Sequence, residues 1–510
     1  MIGRIFTVGG FTLLSRISGF VRDIVLAAVL GAGPLADAFF VALRLPNHFR
    51  AIFAEGAFNA AFVPAFARIN SSQGAHAAGV FADRVMALLL ASQVLLLGIA
   101  LAFTPGVIGL LAPGFSDDPG RFAVAVELTR ITFPYLLLIT LVTLYGGILN
   151  AIGRFAAAAA APILLNVSMV GALLAAALFP TAAHAAAWGV LIAGVLEALL
   201  VGGAAWRAGA RTRPAWPAWN EDLKRFFGAL IPATIGSAWL QIALFADTII
   251  ASSLAAGALS ALYYADRLNQ LPIGVIGIAV GTVLLPEMAN RIAAGDTAGA
   301  ARAQNGAIEL TLLLSLPCLV AFLMVPDLIM RALFMRGAFT AADASAAAAT
   351  LAAYALGLLP FVLIRSATAT FLARGDTATP VKAALAAVAV NVAFKFMLMG
   401  PLAQVGLALA TSIGAWINLA LVVYLARRQG LFAFDPALMR SLARLAVAAL
   451  ALAAALWLGQ RPVASLVSGL TALRDETALA ALAGLGFAVY GGALFALFGR
   501  ERLRRLGGKM

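Results

Sequence analysis

Apolar runs of about twenty residues, the length an α-helix needs to cross a bilayer, recur from one end of this chain to the other. Divided at turns and charges, they fall near 7–30, 35–63, 84–111, 122–150, 158–180, 185–206, 223–255, 259–289, 306–334, 344–372, 380–399, 402–426, 438–459 and 477–499, fourteen segments in all. Backbone polar groups inside lipid must be satisfied within the segment, so such runs fold as helices. The 510 residues are 63% hydrophobic and only 11% charged, against about 25% charged in soluble domains. The sequence predicts an all-α polytopic membrane protein of about 14 transmembrane helices. The even spread of apolar segments excludes a soluble domain on one anchor. Arg16 and Arg22 interrupt the first run and no small-residue cleavage site follows, so it reads as a retained span.

The net charge of +13 is explained by where the charges lie. With the segments numbered in order, the loops on one side collect 22 Lys and Arg residues, including Arg207, Arg211, Arg213 and the tail from Arg500 to Lys509. The other side holds five: Arg121, Arg331, Arg336, Arg461 and Arg474. Loops rich in Lys and Arg stay on the cytoplasmic side, so both termini are expected there. The basic excess is topological, and no nucleic-acid partner is implied. Cys318 is the single cysteine, and His48, His76 and His184 show no ligand spacing, so no disulfide and no metal site is predicted. There is no phosphate-binding G-x-x-x-x-G-K-[ST] run for ATP, and no Ser–His–Asp or paired-carboxylate pattern. No catalytic residue and no bound cofactor is expected.

The chain repeats itself. LGAGPLADAFFVALRLP (30–46) is echoed by LAAGALSALYYADRLNQLP (254–272), FVPAFARI (62–69) by LLPEMANRI (284–292), and FPYLLL (133–138) by LPFVLI (359–364). Asn166 answers Asn391, and all offsets lie between 222 and 226 residues. Four matches in order at a nearly constant offset indicate duplication, and an even helix count per half makes the repeat parallel. The expected organisation is an N-lobe of six helices (1–207), a basic cytoplasmic linker (208–222), a second six-helix lobe (223–428), and two further helices with a basic tail (429–510). Paired repeats of this kind suit alternating access around a chamber between the lobes.

Eight basic residues remain inside the apolar segments: Arg16, Arg22, Arg44, Arg50, Arg130, Arg267, Arg365 and Lys395. Placing a guanidinium at bilayer depth costs at least about 2.5–3.5 kcal/mol on insertion scales, so it faces a partner or a watery cavity. Arg130, Arg365 and Lys395 lie near predicted ends and are expected to snorkel. For the others, Arg22 beside Asp23 reads locally as an ion pair. As a set, four early arginines exceed the nearby acids Asp23, Asp37 and Glu55, which points to a cationic chamber for a polyanion. Arg16 and Arg22, like Arg44 and Arg50, are six residues apart and lie about 120° apart on an unbroken helix. Bends at Ser18-Gly19 and at Pro46 would bring each pair toward one cavity. In the second lobe, Asp266 and Arg267 occupy the equivalent position. Asp247 and Asp376 form an acidic theme whose readings are a salt bridge or coupling to a cation or proton. The planar fork of Arg fits phosphate oxygens.

The run SRISGFVRDIVLAAVLGAGPLADAFFVALRLPNHFRAIFAEGAFNAAFVPAF (15–66) resembles the N-terminal signature of the MurJ (MviN) lipid II flippases of the MOP exporter superfamily. APGF (112–115), ITFPY (131–135), ILN (148–150), YYADRL (263–268) and TPVK (379–382) extend the resemblance through the twelfth segment. It implies fourteen helices, the last two forming a groove for the polyprenyl tail. It further implies translocation of the peptidoglycan precursor lipid II from the inner to the outer leaflet of the bacterial cytoplasmic membrane. The family's cavity arginines fall on Arg16, Arg22, Arg50 and Arg267, meeting the lipid pyrophosphate, and its cavity acid falls on Asp37. Ser15, Asn47 and Glu55 share the motif. Gln270 stands where some members carry Glu. Asp247 and Asp376 are the candidates for Na+ or H+ coupling, with the membrane potential as the other source of energy. Lipid II and membrane lipids are the implied partners, together with proteins of cell-wall synthesis. Two rivals are weighed against this: another MOP-type exporter of drugs or lipid-linked oligosaccharides, and a membrane enzyme acting on polyprenyl phosphates. An arginine-rich chamber disfavours cationic drugs, and the enzyme lacks a catalytic constellation.

Overall fold

Alanine and leucine fill the apolar runs and polar turns separate them, so the backbone closes its hydrogen bonds locally and the chain becomes a series of helices. The computed structural model describes residues 2–50, 57–216, 218–432, 435–470 and 472–499; the side chains of residues 2–8, 45, 49–50, 235–244 and 278–279 are left out of the description. The chain runs through α1 (Ile2–Leu30), α2 (Pro34–Arg50), α3 (Ala57–Ala102), α4 (Thr104–Leu111), α5 (Pro119–Thr132), α6 (Tyr135–Ala151), α7 (Ala156–Leu174), α8 (Ala182–Arg207) and α9 (Glu221–Ser252). It continues with α10 (Ala258–Pro272), α11 (Ile278–Ala293), α12 (Thr297–Met324), α13 (Pro326–Phe334), α14 (Ala341–Ala355), α15 (Leu358–Leu372), α16 (Ala378–Arg428), α17 (Pro436–Leu466) and α18 (Arg474–Phe498). No strand occurs among the described residues.

Among the described residues, ten helical stretches are long and apolar enough to cross a membrane. Fewer stretches than predicted segments result in part because α3 and α16 each double back. In α3 the chain turns at Gly74 (φ 86°, ψ 169°), and the rings of Phe62 and Phe81 stack with centroids 5.7 Å apart. Nineteen residues of straight helix would hold them about 28 Å apart. In α16 the turn falls at Ala403 (φ 47°, ψ −128°), just after Pro401. Its two legs lie so close that a Cβ on Gly414 would stand 2.8 Å from Cβ of Asn391. The predicted segments 380–399 and 402–426 are these two legs.

The described contacts divide the chain into two compact units, Met1–Ser260 with Arg336–Phe339, and Ala261–Met335 with Thr340–Met510. The first has a phenylalanine core. Phe58 stacks on Phe62 at 4.9 Å, and Phe226 of α9 meets the edges of Phe58, Phe62 and Phe81 at 6.0, 6.2 and 5.8 Å. Rings in such tilted and edge-on arrangements gain about 0.5–1.5 kcal/mol per pair beyond their buried area. In the second unit, Leu445, Leu452 and Leu456 of α17 and Leu482, Tyr490 and Leu494 of α18 are buried, and these two helices pack on each other. The Tyr490 hydroxyl donates to the Leu313 carbonyl of α12 at 2.8 Å. Arg331 of α13 forks onto Asp475 at the start of α18, with Nε 3.1 Å and Nη2 2.6 Å from its oxygens.

Lipid offers no hydrophobic drive between helices, so close approach through small residues carries their association. Gly414→Leu is therefore expected to destabilise the second unit by about 1–3 kcal/mol, the usual cost of overpacking. Thermal unfolding in detergent, followed by size-exclusion chromatography, measures it; an unchanged profile would contradict the closeness of the α16 legs.

Candidate functional site

In the first unit, α1 runs as a single helix through Ser18 and Gly19, so the bend expected there is absent. Arg16 and Arg22 then point apart, and their surroundings differ accordingly. Arg22 is 9% exposed. Its Nε and Nη2 reach Oδ1 of Asp23 at 3.0 and 2.7 Å, and its Nη1 donates to Oδ1 of Asn166 on α7 at 3.0 Å. Asn166 in turn donates from Nδ2 to the Ser15 carbonyl at 3.0 Å and to the Ser18 hydroxyl at 2.9 Å. The local Arg22–Asp23 pair read from the sequence is present, and Asn166, which the repeat singled out, braces it. Ser15 enters through its backbone carbonyl. Arg16 is exposed and, among the described residues, has no hydrogen bond or ion pair. Arg44 is half-buried and its Nη1 donates to the Thr248 hydroxyl of α9 at 2.6 Å. That contact places Asp247, half-buried, one residue from the Arg44 partner.

Asp37, in the first turn of α2, is 0% exposed. Its Oδ1 accepts from the Ser260 backbone N–H at 2.8 Å and the Ser260 hydroxyl at 2.6 Å; its Oδ2 accepts from the Gly257 N–H at 2.8 Å and Arg121 Nη2 at 3.0 Å. One carboxylate thus satisfies N–H groups at the start of α10, where a negative charge is favoured. Arg121 is buried and lies 3.8 Å over the Phe115 ring. The sequence counts Arg121 among the loop residues of the less basic side; the structure shows it buried in the first turn of α5. The signal that could have found it is Asp37 itself, because a buried carboxylate inside a membrane segment requires a cationic or hydrogen-bonding partner. Asn47 is half-buried on α2. The side chain of Arg50 and the whole of Glu55 lie outside the described residues.

In the second unit, Arg267 of α10 is half-buried with its guanidinium 4.6 Å from the centre of the Tyr263 ring, one turn back. The adjacent Asp266 accepts a short hydrogen bond from the Gln270 amide, so Gln270 spends a donor on the neighbouring acid. Asp376 sits outside the apolar spans and turns back onto α16, where its Oδ1 accepts from the N–H groups of Ala378 and Thr379 at 3.0 Å each. The Thr379 hydroxyl, followed by these N–H groups and Lys382, holds its carboxyl below the usual aspartate range. Lys395 is 1% exposed, which corrects the snorkelling read from its place near a predicted end. Lys395 lies on the first leg of α16, between Asn391 and Leu398, where the backbone approaches Gly414 and Gly406 of the second leg. Arg130 and Arg365 are exposed at the protein surface. Among the described residues, no three His, Cys, Asp or Glu side chains gather where a metal could sit.

Breaking a buried ion pair from one side leaves an uncompensated charge and costs about 3–5 kcal/mol. Asp37→Asn is expected to lower stability by that order and Arg121→Met by less, with the double variant recovering part of the loss. Thermal unfolding of the four proteins forms the double-mutant cycle, and strict additivity would refute the pairing.

The chain was compared with known proteins. Residues 26–473 match the family model described as lipid II flippase MurJ. A probable lipid II flippase MurJ of Rhizobium meliloti (strain 1021) is 40% identical over 463 residues, covering 90% of this chain and 86% of the relative. A probable lipid II flippase MurJ of Vibrio cholerae serotype O1 is 35% identical over 493 residues, covering 95% and 93%. Among solved structures, a lipid II flippase MurJ in an inward closed conformation superposes with a TM-score of 0.80 at 22% identity, covering 96% of this chain and 98% of that one. An inward-facing multidrug resistance MATE family transporter of the MOP superfamily gives 0.67 at 15% identity, covering 83% and 97%. At these identities the solved structures show the fold, and the sequence matches over most of both chains show the family: the chain belongs to the lipid II flippase MurJ family, a family of multi-pass membrane transporters and not of enzymes.

Proposed function

We propose that this protein carries lipid II from the inner to the outer leaflet of the bacterial cytoplasmic membrane by exposing a set of arginines alternately to the two sides. The observation that carries this reading is the contrast on α1 between Arg22, held by Asp23 and Asn166, and Arg16, exposed and without a protein partner among the described residues. A guanidinium left open at membrane depth is costly unless an anion or water meets it. A pyrophosphate offers the paired oxygens that suit its fork. Arg267, held against Tyr263, is the second binding group and Arg50 the third. Asp37 acts through the protein: it fixes the beginnings of α2 and α10 while the arginines meet the ligand. The lipid tail stays in the bilayer along α17 and α18. Resetting of the empty transporter is assigned to the membrane potential, worth about 2.3 kcal/mol per charge per 100 mV, or to a Na+ or H+ gradient, with Asp247 as the acid that senses it. Asp376, engaged as a helix cap, serves this role less well. Proteins of cell-wall synthesis would receive the product at the outer leaflet.

Arg16→Ala and Arg267→Ala are each expected to fail to support growth when the native copy is depleted, at normal membrane levels of protein. Acute inactivation of the wild type should make lipid II inaccessible to probes at the outer leaflet. Full growth with both arginines replaced would refute the assignment.

A further inference from the structure

The segment between α8 and α9 is neither apolar nor helical, and its use is not accounted for by transport. It begins where an apolar span ends, at Arg207, so it leaves the membrane at headgroup level. It is also firmly tied down. The Arg213 N–H donates to Oδ1 of Asp83 on α3 at 2.8 Å, and the Ala215 N–H to the Asp83 carbonyl at 3.5 Å. The Thr212 hydroxyl donates to the Tyr145 hydroxyl at 3.2 Å. At the far end Asn220 caps α9 through the Leu223 N–H at 3.0 Å, and Trp219 stacks on Phe227 at 5.4 Å.

This fixed strap presents two kinds of group outward. Trp206 and Trp219 are exposed, and Trp216 is 90% exposed. Arg207, Arg211 and Arg213 are exposed as well, and Arg211 lies 5.4 Å over the Trp206 ring. The acids close by are already engaged: the Asp83 carboxylate by the Arg213 backbone N–H, Glu221 by Arg225 and Asp222 by Arg68. Among the described residues none of the three strap arginines has an acidic partner. Indole rings favour the boundary between headgroups and chains, and basic residues close to an anionic leaflet are each attracted by roughly fivefold in affinity.

We propose that residues 206–219 form a headgroup-zone anchor that binds anionic phospholipids of the adjoining leaflet. Arg207, Arg211 and Arg213 take the phosphates, and Trp216 inserts at the chain boundary. The backbone bonds to Asp83 hold the strap in place beforehand, so little conformational freedom is lost on binding. A soluble protein partner is the competing occupant, and charge complementarity to the leaflet favours the lipid.

The test uses the full chain in nanodiscs of phosphatidylcholine, with and without phosphatidylglycerol. Tryptophan emission of the wild type minus that of Trp216→Phe isolates the Trp216 contribution. It is expected to be quenched by phosphatidylcholine brominated near the headgroup end of its chains. Phosphatidylglycerol retained by the purified protein, read by native mass spectrometry, should fall at least about fivefold in R207Q/R211Q/R213Q, and R207K/R211K/R213K should keep it. Quenching of Trp216 by aqueous iodide alone, as expected if the strap faces water or a soluble partner, overturns the proposal. Unchanged lipid retention in the glutamine variant overturns it too. The lysine variant guards against loss of folding as the explanation.

Discussion

A guanidinium cannot shed its charge, so every arginine that a fold carries to membrane depth must be given a counter-ion, a ring, a hydrogen-bonding oxygen or an opening. Most of the local architecture described above is one of these answers. Arg121 receives the Asp37 carboxylate and the face of Phe115. Arg22 receives Asp23 and Asn166, Arg44 the Thr248 hydroxyl, and Arg267 the Tyr263 ring. Three of these answers also join elements distant in the chain, α5 to α2, α7 to α1 and α9 to α2, while Arg267 and Tyr263 lie one turn apart on α10. The polar groups thereby help to set which helices are neighbours, in a medium where apolar surface cannot discriminate between them.

The fold was legible because its two strongest signals are local. Segment length against bilayer thickness, and the turn residues between segments, need no tertiary information. Even the legs of α16, which meet at the non-helical Ala403, are separated in the sequence by Gly400 and Pro401. What the sequence could not carry was the inside of that hairpin. Lys395 stands near a segment end by count, yet it is almost fully buried. A one-dimensional distance to the span end is a poor guide to burial wherever the chain doubles back on itself.

The candidate arginines could be named from the sequence, their environments less so. Arg16, Arg22 and Arg267 could be picked out by charge in an apolar context. Arg121 could not, because the local run PGRFAVAV begins with a proline turn that reads as an exposed start, and its partner Asp37 lies 84 residues away. Asp376 admits two readings: an acid before a span suits ion coupling, and an acid two residues before Ala378 suits a helix cap equally well. In the structure its carboxylate accepts from the N–H groups of Ala378 and Thr379, a contact that sequence alone does not reveal.

The separation between satisfied and unsatisfied charge also argues for which residues bind. An anion gains little from an arginine whose donors are already committed to a buried carboxylate, because the existing bonds must first break and the acid then repels the newcomer. By that reasoning Arg121, closed in with Asp37, is a structural cation. Arg22 is intermediate, with its fork oriented by Asp23 and Asn166. Arg16, six residues or about one and two-thirds turns away on the same helix, keeps its donors open. An aligned helix that holds one arginine still and leaves the next uncommitted positions the open charge without neutralising it, which is the condition for binding a polyanion tightly and releasing it again.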